Sequence, residues 1–429
     1  MDPLAFLFSL ERLGMKFGLD NITALCAALD NPERAFQSVI VGGTNGKGSV
    51  TAMTSAALHA AGHRVARYTS PHLERLEERF VIDEREVTTP DLRDAAAAVQ
   101  RAAEALVREG TLSAPPTFFE CATAIAFELF KRQSVAIAVL EVGLGGRLDA
   151  TNVVSPIAAA ITSIDLDHQA QLGDSLESIA AEKAGIIKPG IPVICGPLPP
   201  EADRIMAETC RARGSRLVRA LDRVQLASRL HDGRTIVSLR SPSHQIREIE
   251  LALSGRHQAV NAAVVMCLLE ELQAAGLEIP DDAIVAGLTI VSWPARLERR
   301  TWQGADVWLD AAHNPAGARA LASYLSEALG RNPQERALVF GAMKDKDIEG
   351  ILSPLLPLFD RVVCTTAASP RARPASELAE VARAVSAGRP SIESIEDPAA
   401  ALQAACLPGW RVVVAGSIFL VGPLRGILR

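Results

Sequence analysis

The stretch that most constrains this chain is Val39-Ile40-Val41-Gly42-Gly43-Thr44-Asn45-Gly46-Lys47-Gly48-Ser49. A β-branched run turns through four glycines, presents one lysine and a hydroxyl, and passes into a helical pattern with Val50, Met53 and Ala57 on one face. Gly62 reads as the residue that ends that helix. Strand, glycine turn and helix start together make a phosphate cradle, because backbone N–H groups and the helix dipole face an anion and a lysine adds a point charge. The general pattern G-x-x-x-x-G-K-[ST] is broken, since Gly48 separates Lys47 from Ser49. A glycine-rich turn can also be only a turn, so the rest of the chain has to supply the other parts of an ATP site.

At 429 residues the chain exceeds one compact core and calls for two or three domains. Repeated strand–helix alternation predicts a doubly wound, mostly parallel sheet. The run Val135–Leu140 is apolar throughout, as a strand covered on both faces must be, and a further run, Ile157–Ile164, leads into Asp165. From about Val224 to Leu253 short alternating segments around His231-Asp232-Gly233 predict a small antiparallel appendage. After Trp293-Pro294 a fresh α/β series begins, with strands expected at Val307–Leu309, Ala337–Phe340, Arg361–Thr365 and Arg411–Ala415. The expected architecture is a P-loop-type α/β domain over 1–293, carrying the appendage at about 220–256, then a smaller Rossmann-like α/β domain over 294–429.

A net charge of −6 gives no electrostatic reason to expect nucleic acid or an anionic membrane as partner. Seven scattered cysteines, none in a C-x-x-C, argue against a disulfide framework and for a reducing cytoplasm. Leu4–Leu10 is apolar, but Asp2 precedes it and Glu11-Arg12 follow, which is not a leader pattern.

In open α/β sheets ligands bind beyond the carboxyl ends of the strands. There the sequence places Gly43–Ser49, Ser70, Glu141, and Asp165 with Asp167 and His168. A carboxylate that ends a buried strand beside a phosphate loop suits Mg²⁺, which takes a few protein oxygens and fills its octahedron with phosphate and water. Taken singly, Glu141, His168 and Lys183 each have a bland surface or loop reading; their joint occurrence with the phosphate loop shifts the balance.

Several blocks together carry a family resemblance. They are Gly43–Ser49, Thr69-Ser70-Pro71-His72-Leu73, the twelve residues Glu141–Asn152, Glu182-Lys183-Ala184-Gly185-Ile186 and Asp310-Ala311-Ala312-His313-Asn314-Pro315. In this order they resemble the dihydrofolate synthase/folylpolyglutamate synthases of the Mur ligase superfamily, whose nucleotide loop includes the extra glycine. The resemblance implies an ATP-dependent amide ligase that adds L-glutamate to dihydropteroate, to the γ-carboxyl of tetrahydrofolate, or to both, through an acyl phosphate. It implies Thr44, Asn45, Gly46, Lys47, Gly48, Ser49, Asn261, Arg296 and Asp310 at ATP, with Arg296 just past the hinge. Ser49, Ser70 and Glu141 would serve one Mg²⁺ and His168 a second. Lys183 matches a lysine that such enzymes carbamylate, which makes Lys47, Glu141, His168 and Lys183 the catalytic set. Lys16, Phe17 and Gly18, with Thr117, Phe118, Phe119 and Glu120 and with Leu148, Asp149 and Ala150, match pterin-binding positions. His313 and Ser417 match positions near the incoming glutamate. A monomer is the usual state of the family.

Two residues depart from it. Lys16 stands where bifunctional relatives often have aspartate, and Phe419 where a tyrosine is common near glutamate. The alternatives are a folylpolyglutamate synthase without dihydrofolate synthase activity, or, from another class, an ATP-binding switch that ligates nothing. A peptidoglycan-precursor ligase would place a UDP-sugar domain ahead of the loop, where this sequence has only 42 residues before Gly43.

Overall fold

A computed structural model describes residues 2–14, 16, 18–329, 335–386, 388 and 390–428. The chain packs into two compact units. The first comprises Met1–Leu226, Leu239–Arg247 and Val260–Val291, and the second Ala227–Ser238, Glu248–Ala259 and Ser292–Arg429.

The first unit is built on eight strands, β1 Gln37–Gly42, β2 Val65–Tyr68, β3 Phe80–Ile82, β4 Arg85–Glu86, β5 Ile137–Glu141, β6 Ala158–Ile161, β7 Pro192–Cys195 and β8 Arg216–Arg219. They run in the order β4-β3-β2-β5-β1-β6-β7-β8. All pairings from β2 through β8 are parallel, and β3 and β4 add an antiparallel edge. The central strands are apolar because both faces are covered: Val39, Ile40 and Val41 in β1 and Ala138, Val139 and Leu140 in β5 have no exposure. The chain leaves β1 towards β2 and later crosses to β6 on the other side. The ends of β5, β1 and β6 therefore form a switch point of the kind that binds ligands.

The helix Lys47–Ala60 follows the phosphate loop and is buried from Gly48 to Leu58. Its small residues let Asp281–Thr289 approach so closely that a Cβ on Gly287 would fall 2.5 Å from the Cβ of Ala57. Gly62, at φ +88°, ends the turn after this helix as expected and donates its N–H to the His59 carbonyl at 2.9 Å. The helix Phe118–Arg132 opens with a capping box, in which Thr117 Oγ1 accepts from Glu120 N and the Glu120 carboxylate accepts from Thr117 N.

The expected appendage is a three-stranded sheet of β9 Gln225–His231, β10 Arg234–Arg240 and β11 Gln245–Glu250. The expectation assigned all of 220–256 to the first domain, whereas 227–238 and 248–259 pack with the second unit. The reason lies in polar anchors. Tyr324 Oη donates to the Gly233 carbonyl at 2.6 Å, and Arg256 pairs with Glu327 at 2.8 Å. The long break falls between Val291 and Ser292.

The second unit carries β12 Glu298–Trp302, β13 Ala305–Leu309, β14 Arg336–Phe340, β15 Arg361–Cys364, β16 Ser391–Ser394 and β17 Arg411–Ala415. They run in the order β12-β13-β17-β14-β15-β16 and are parallel from β13 to β16, with β12 antiparallel at the edge. All seven cysteines are buried free thiols. No helix among the described residues is long and apolar enough to cross a membrane.

Candidate active site

The phosphate loop is held open by its neighbour. Gly43 has φ +141°, and a Cβ there would lie 2.0 Å from Thr162 Oγ1; Gly46 has φ +87°, and its Cβ would fall 2.7 Å from Asn261 Oδ1. Only glycine meets both demands. The loop is then stitched to the segment after β6. Thr44 N donates to the Ser163 carbonyl at 2.8 Å, and Thr44 Oγ1 accepts from Asp165 N at 3.1 Å while donating to its carbonyl at 3.2 Å. Asn45 N donates to Ser163 Oγ at 3.0 Å. The helix begins at Lys47 with Gly46 as N-cap and no side-chain cap, so its first turn faces outward as a cradle for an anion. Lys47 Nζ donates to the Thr44 carbonyl at 3.1 Å, which folds its charge back over the loop.

Glu141 ends β5 directly beside Val41 of β1 and is 6% exposed. Its Oε2 accepts the N–H of Ser70, which follows β2 on the other side of β5, at 3.2 Å. Ser49 lies buried in the first turn of the helix Lys47–Ala60. His168 sits beyond β6 in a left-handed conformation, φ +50°, with its N–H on Asp167 Oδ1 at 2.9 Å. Lys47, Glu141 and His168 thus follow or end the three adjacent strands β1, β5 and β6 at their carboxyl ends. Neighbouring strands are about 4.8 Å apart.

Lys183 is 5% exposed and donates from Nζ to the Gly43 carbonyl at 2.9 Å. Burial pulls its amine from 10.5 down to about 7, and the charge of Lys47 pushes the same way, against Asp167 and Asp149. A buried lysine near neutrality is an amine that can react rather than a solvated cation. Two tight contacts fix its place. A Cβ on Gly146 would lie 2.8 Å from the Glu182 carbonyl, and one on Gly185 would lie 2.3 Å from Arg147 Cα. Asn152 Nδ2 donates to both the Arg147 carbonyl, at 3.0 Å, and the Gly185 carbonyl, at 3.1 Å.

The sequence matches the Mur ligase middle domain over residues 41–269 and the Mur ligase glutamate ligase domain over 295–418. It is 37% identical over 379 residues to the dihydrofolate synthase/folylpolyglutamate synthase of Mycobacterium tuberculosis, covering 84% of this chain and 76% of that protein. The chain belongs to that family of Mur ligases. It is accordingly an ATP-dependent ligase of the folate type. A crystal structure of M. tuberculosis folylpolyglutamate synthase complexed with ADP and AMPPCP superposes with a TM-score of 0.91 at 32% identity, covering 100% of this chain and 99% of that one. A probable bifunctional folylpolyglutamate synthase/dihydropteroate synthase of Halobacterium salinarum is 36% identical over 431 residues, and there the match takes in 98% of this chain but only half of the relative's length.

In this folate-type ligase the expected pterin residues gather at one end of the helix Phe118–Arg132. Asn21 links them, accepting from Lys16 Nζ at 3.2 Å and donating to Glu120 Oε2 at 3.2 Å. Glu120 Oε1 is buried with no hydrogen-bond partner among the described residues. Phe119 lies against the Gly143 turn, where a Cβ would meet its ring at 2.6 Å, and its ring centroid is 6.2 Å from that of Tyr68. Phe118 pairs with Phe8 at 6.0 Å. Phe17 falls outside the described residues, and Gly18 has φ +144°. Asp149 is buried and fully engaged, accepting from Leu144 N, Thr151 N and Thr151 Oγ1, so it shapes the turn that carries Leu148 and Ala150. Sequence reasoning missed Arg79, which sits over the Phe118 ring at 5.1 Å and donates from Nε to His72 Nδ1 at 2.9 Å. It lies in the charged run Glu74–Arg79, which reads as an ordinary solvated segment and gives no signal of burial.

The remaining expected site residues fall in two groups. Asn261 belongs to the first unit, against Gly46. Arg296, Asp310, His313 and Ser417 belong to the second. Asp310 is 7% exposed; it accepts Leu297 N at 3.0 Å and Ala312 N at 2.9 Å, and burial pushes its carboxyl up against the pull of Arg296. His313 Nδ1 bonds the Ala311 carbonyl at 2.9 Å, and Ser417 caps the helix Ile418–Ile427 by accepting from Phe419 N.

Proposed function

We propose that this chain transfers the γ-phosphate of ATP to a carboxylate of dihydropteroate or of a reduced folate, and that the α-amine of L-glutamate then displaces phosphate to give the amide. The carboxylate oxygen attacks the γ-phosphorus as ADP leaves. The amine then attacks the acyl carbon, and the tetrahedral species collapses with loss of phosphate and a proton. Such chemistry needs positioning and charge neutralisation rather than a side-chain nucleophile. Lys47 and the first turn of its helix bind the phosphates, and Asn261, Arg296 and Asp310 serve ATP. Ser49, Ser70 and Glu141 would hold one Mg²⁺ and His168 a second, an oxygen-rich set that fits this cation, which neutralises the phosphate oxygens when bound. Among the described residues no three His, Cys, Asp or Glu side chains form a cage, so the metal would depend on the nucleotide for its remaining contacts.

Lys183, its amine brought down to about 7, would react in its neutral form with CO₂, releasing a proton, to give a carbamate beside the phosphate loop. The clusters around Lys16, Phe17 and Gly18, Thr117–Glu120 and Leu148–Ala150 take the pterin, with aromatic rings against its plane. His313 and Ser417 take the incoming glutamate. The enzyme works as a monomer in the cytoplasm.

The observation that carries this reading is the phosphate loop after β1 stitched to the segment after β6 through Thr44 and Asp165, with buried Lys183 bonded to its Gly43 carbonyl and feeling the charge of Lys47. The test is phosphate release and glutamate incorporation measured with dihydropteroate and with tetrahydrofolate separately. Release should require both glutamate and a pterin acceptor. Equal release without either would favour a nucleotide switch, and incorporation with tetrahydrofolate alone would leave a folylpolyglutamate synthase only.

A further inference from the structure

Arg296 sits on a turn that its own residues disfavour. Ala295 has φ +57° and Leu297 φ +52°, so two non-glycine residues flanking the arginine are left-handed. Such backbone persists only where its surroundings over-determine it. Here Ala295 N donates to Glu298 Oε2 at 3.0 Å, Ala311 N donates to the Ala295 carbonyl at 3.0 Å, and Leu297 N donates to Asp310 Oδ2 at 3.0 Å. Arg296 Nη1 also donates to the Ala295 carbonyl, at 2.9 Å, so the guanidinium is tied to the residue that Glu298 holds.

Glu298 is itself clamped. Arg425 Nε lies 2.9 Å from Oε2 and 3.1 Å from Oε1, and Arg300 Nη2 lies 2.5 Å from Oε1. The Glu298 side chain is only 13% exposed. Arg425 stands in the last turn of the helix Ile418–Ile427. We infer that Glu298, gripped by Arg425, is a positioning residue for the ligase reaction: it locks Ala295 in its left-handed conformation and so sets the direction of the Arg296 guanidinium. The inference rests on the proposed reading that Arg296 serves ATP. A carboxylate that merely braced the fold would need no bond to the N–H of one strained residue. The bond matters because it fixes the backbone immediately before the functional side chain.

The test is a double-mutant cycle in the full chain, measuring kcat and KM for ATP at saturating folate and glutamate, with thermal unfolding alongside. Arg296→Ala should lower kcat/KM for ATP about 100-fold, and Glu298→Ala about 10-fold. Glu298→Gln keeps an oxygen for Ala295 N and should stay within about 3-fold of wild type. Adding Glu298→Ala to Arg296→Ala should cost no more than about 2-fold further, because the residue acts through the arginine. Should Glu298→Ala fail to fold, Arg425→Ala loosens the clamp from the other side and should show the same dependence on Arg296. Equal losses in both backgrounds, or no loss from either clamp variant, overturn the inference. An Arg296→Ala enzyme with unchanged kcat/KM would instead sink the assignment of Arg296 to ATP, and the positioning role with it.

Discussion

Replacing Lys183 by methionine should make the protein more stable and the enzyme inactive. The buried amine falls from 10.5 to about 7 on folding. At 1.36 kcal/mol per pKa unit, that depression costs the wild type about 5 kcal/mol wherever both states hold the proton. Methionine fills similar volume without a charge, but it forfeits the bond to the Gly43 carbonyl, worth about 1 kcal/mol. The net gain expected at pH 6 to 7 is about 3–4 kcal/mol. Below pH 7 the penalty is constant, because folded and unfolded chains are both protonated. Between 7 and 10.5 the unfolded chain binds more protons, so wild-type stability climbs with pH by up to about 1.4 kcal/mol per unit and the advantage of methionine shrinks. Urea unfolding in CO₂-free buffer at pH 6, 8 and 10 measures this. All four tryptophans, 293, 302, 308 and 410, lie in the second unit, so their emission serves as an internal control while far-UV circular dichroism reports both units. A variant no more stable than wild type at pH 6, or an advantage that grows with pH, would refute the claim that desolvation governs this lysine.

Activity at constant bicarbonate should rise as pH passes through about 7 and level off above it, since CO₂ adds only to the neutral amine, and ¹³CO₂ should give a carbamate resonance that Lys183→Met lacks. Lys47→Ala should stay folded, because the residue lies half-buried at the first position of the helix Lys47–Ala60, yet lose at least about 100-fold in turnover; normal rates would mean the phosphate loop is misassigned. Gly43→Ala drives a Cβ to 2.0 Å from Thr162 Oγ1 and should cost about 2–4 kcal/mol in unfolding free energy as well as activity. Glu141→Gln keeps an oxygen for Ser70 N but loses its charge, and should raise the Mg²⁺ concentration for half-maximal rate about 10-fold in a metal titration.

The central strands were legible because a strand covered on both faces has to be apolar along its covered stretch, as Val39–Val41 of β1 and Ile137–Leu140 of β5 are. The edges were not. β8, β12 and β16 are mostly exposed or half-buried without alternation and carry charges such as Arg216, Glu298, Arg299 and Arg300, so no period separates them from loop. The β3–β4 hairpin turns through Asp83 and Glu84, both left-handed, where the usual signal would be Asn-Gly. What holds Glu84 there is tertiary: Arg67 Nη1 at 2.8 Å and Ser55 Oγ at 2.6 Å. In the candidate site, the residues proposed to bear chemistry stand in compact blocks that the sequence marks, while those that hold the blocks together do not. Ser163 and Thr162 staple the phosphate loop and Asn21 bridges Lys16 to Glu120, yet each is an unremarkable polar residue in its own segment.

The glycines of the two later blocks say why those blocks must travel together. Gly185 has φ −62°, an ordinary helical value, so its backbone does not call for glycine. Proximity calls for it: any Cβ there would collide with Arg147, and a Cβ on Gly146 would collide with the carbonyls of Glu182 and Lys183. The turn after β5 and the end of the helix Leu176–Ala184 are therefore pressed backbone to backbone. Glu141 is anchored at the start of that turn and Lys183 at the end of that helix. The distance between a carboxylate and an amine 42 positions apart is thus set by two missing methyl groups rather than by either side chain. Lys183 in turn reaches the Gly43 carbonyl, so the same contact fixes the amine against the phosphate loop. Sequence blocks that look independent are one rigid object, and a methyl group at 146 or 185 should displace Lys183 without touching any group that meets substrate.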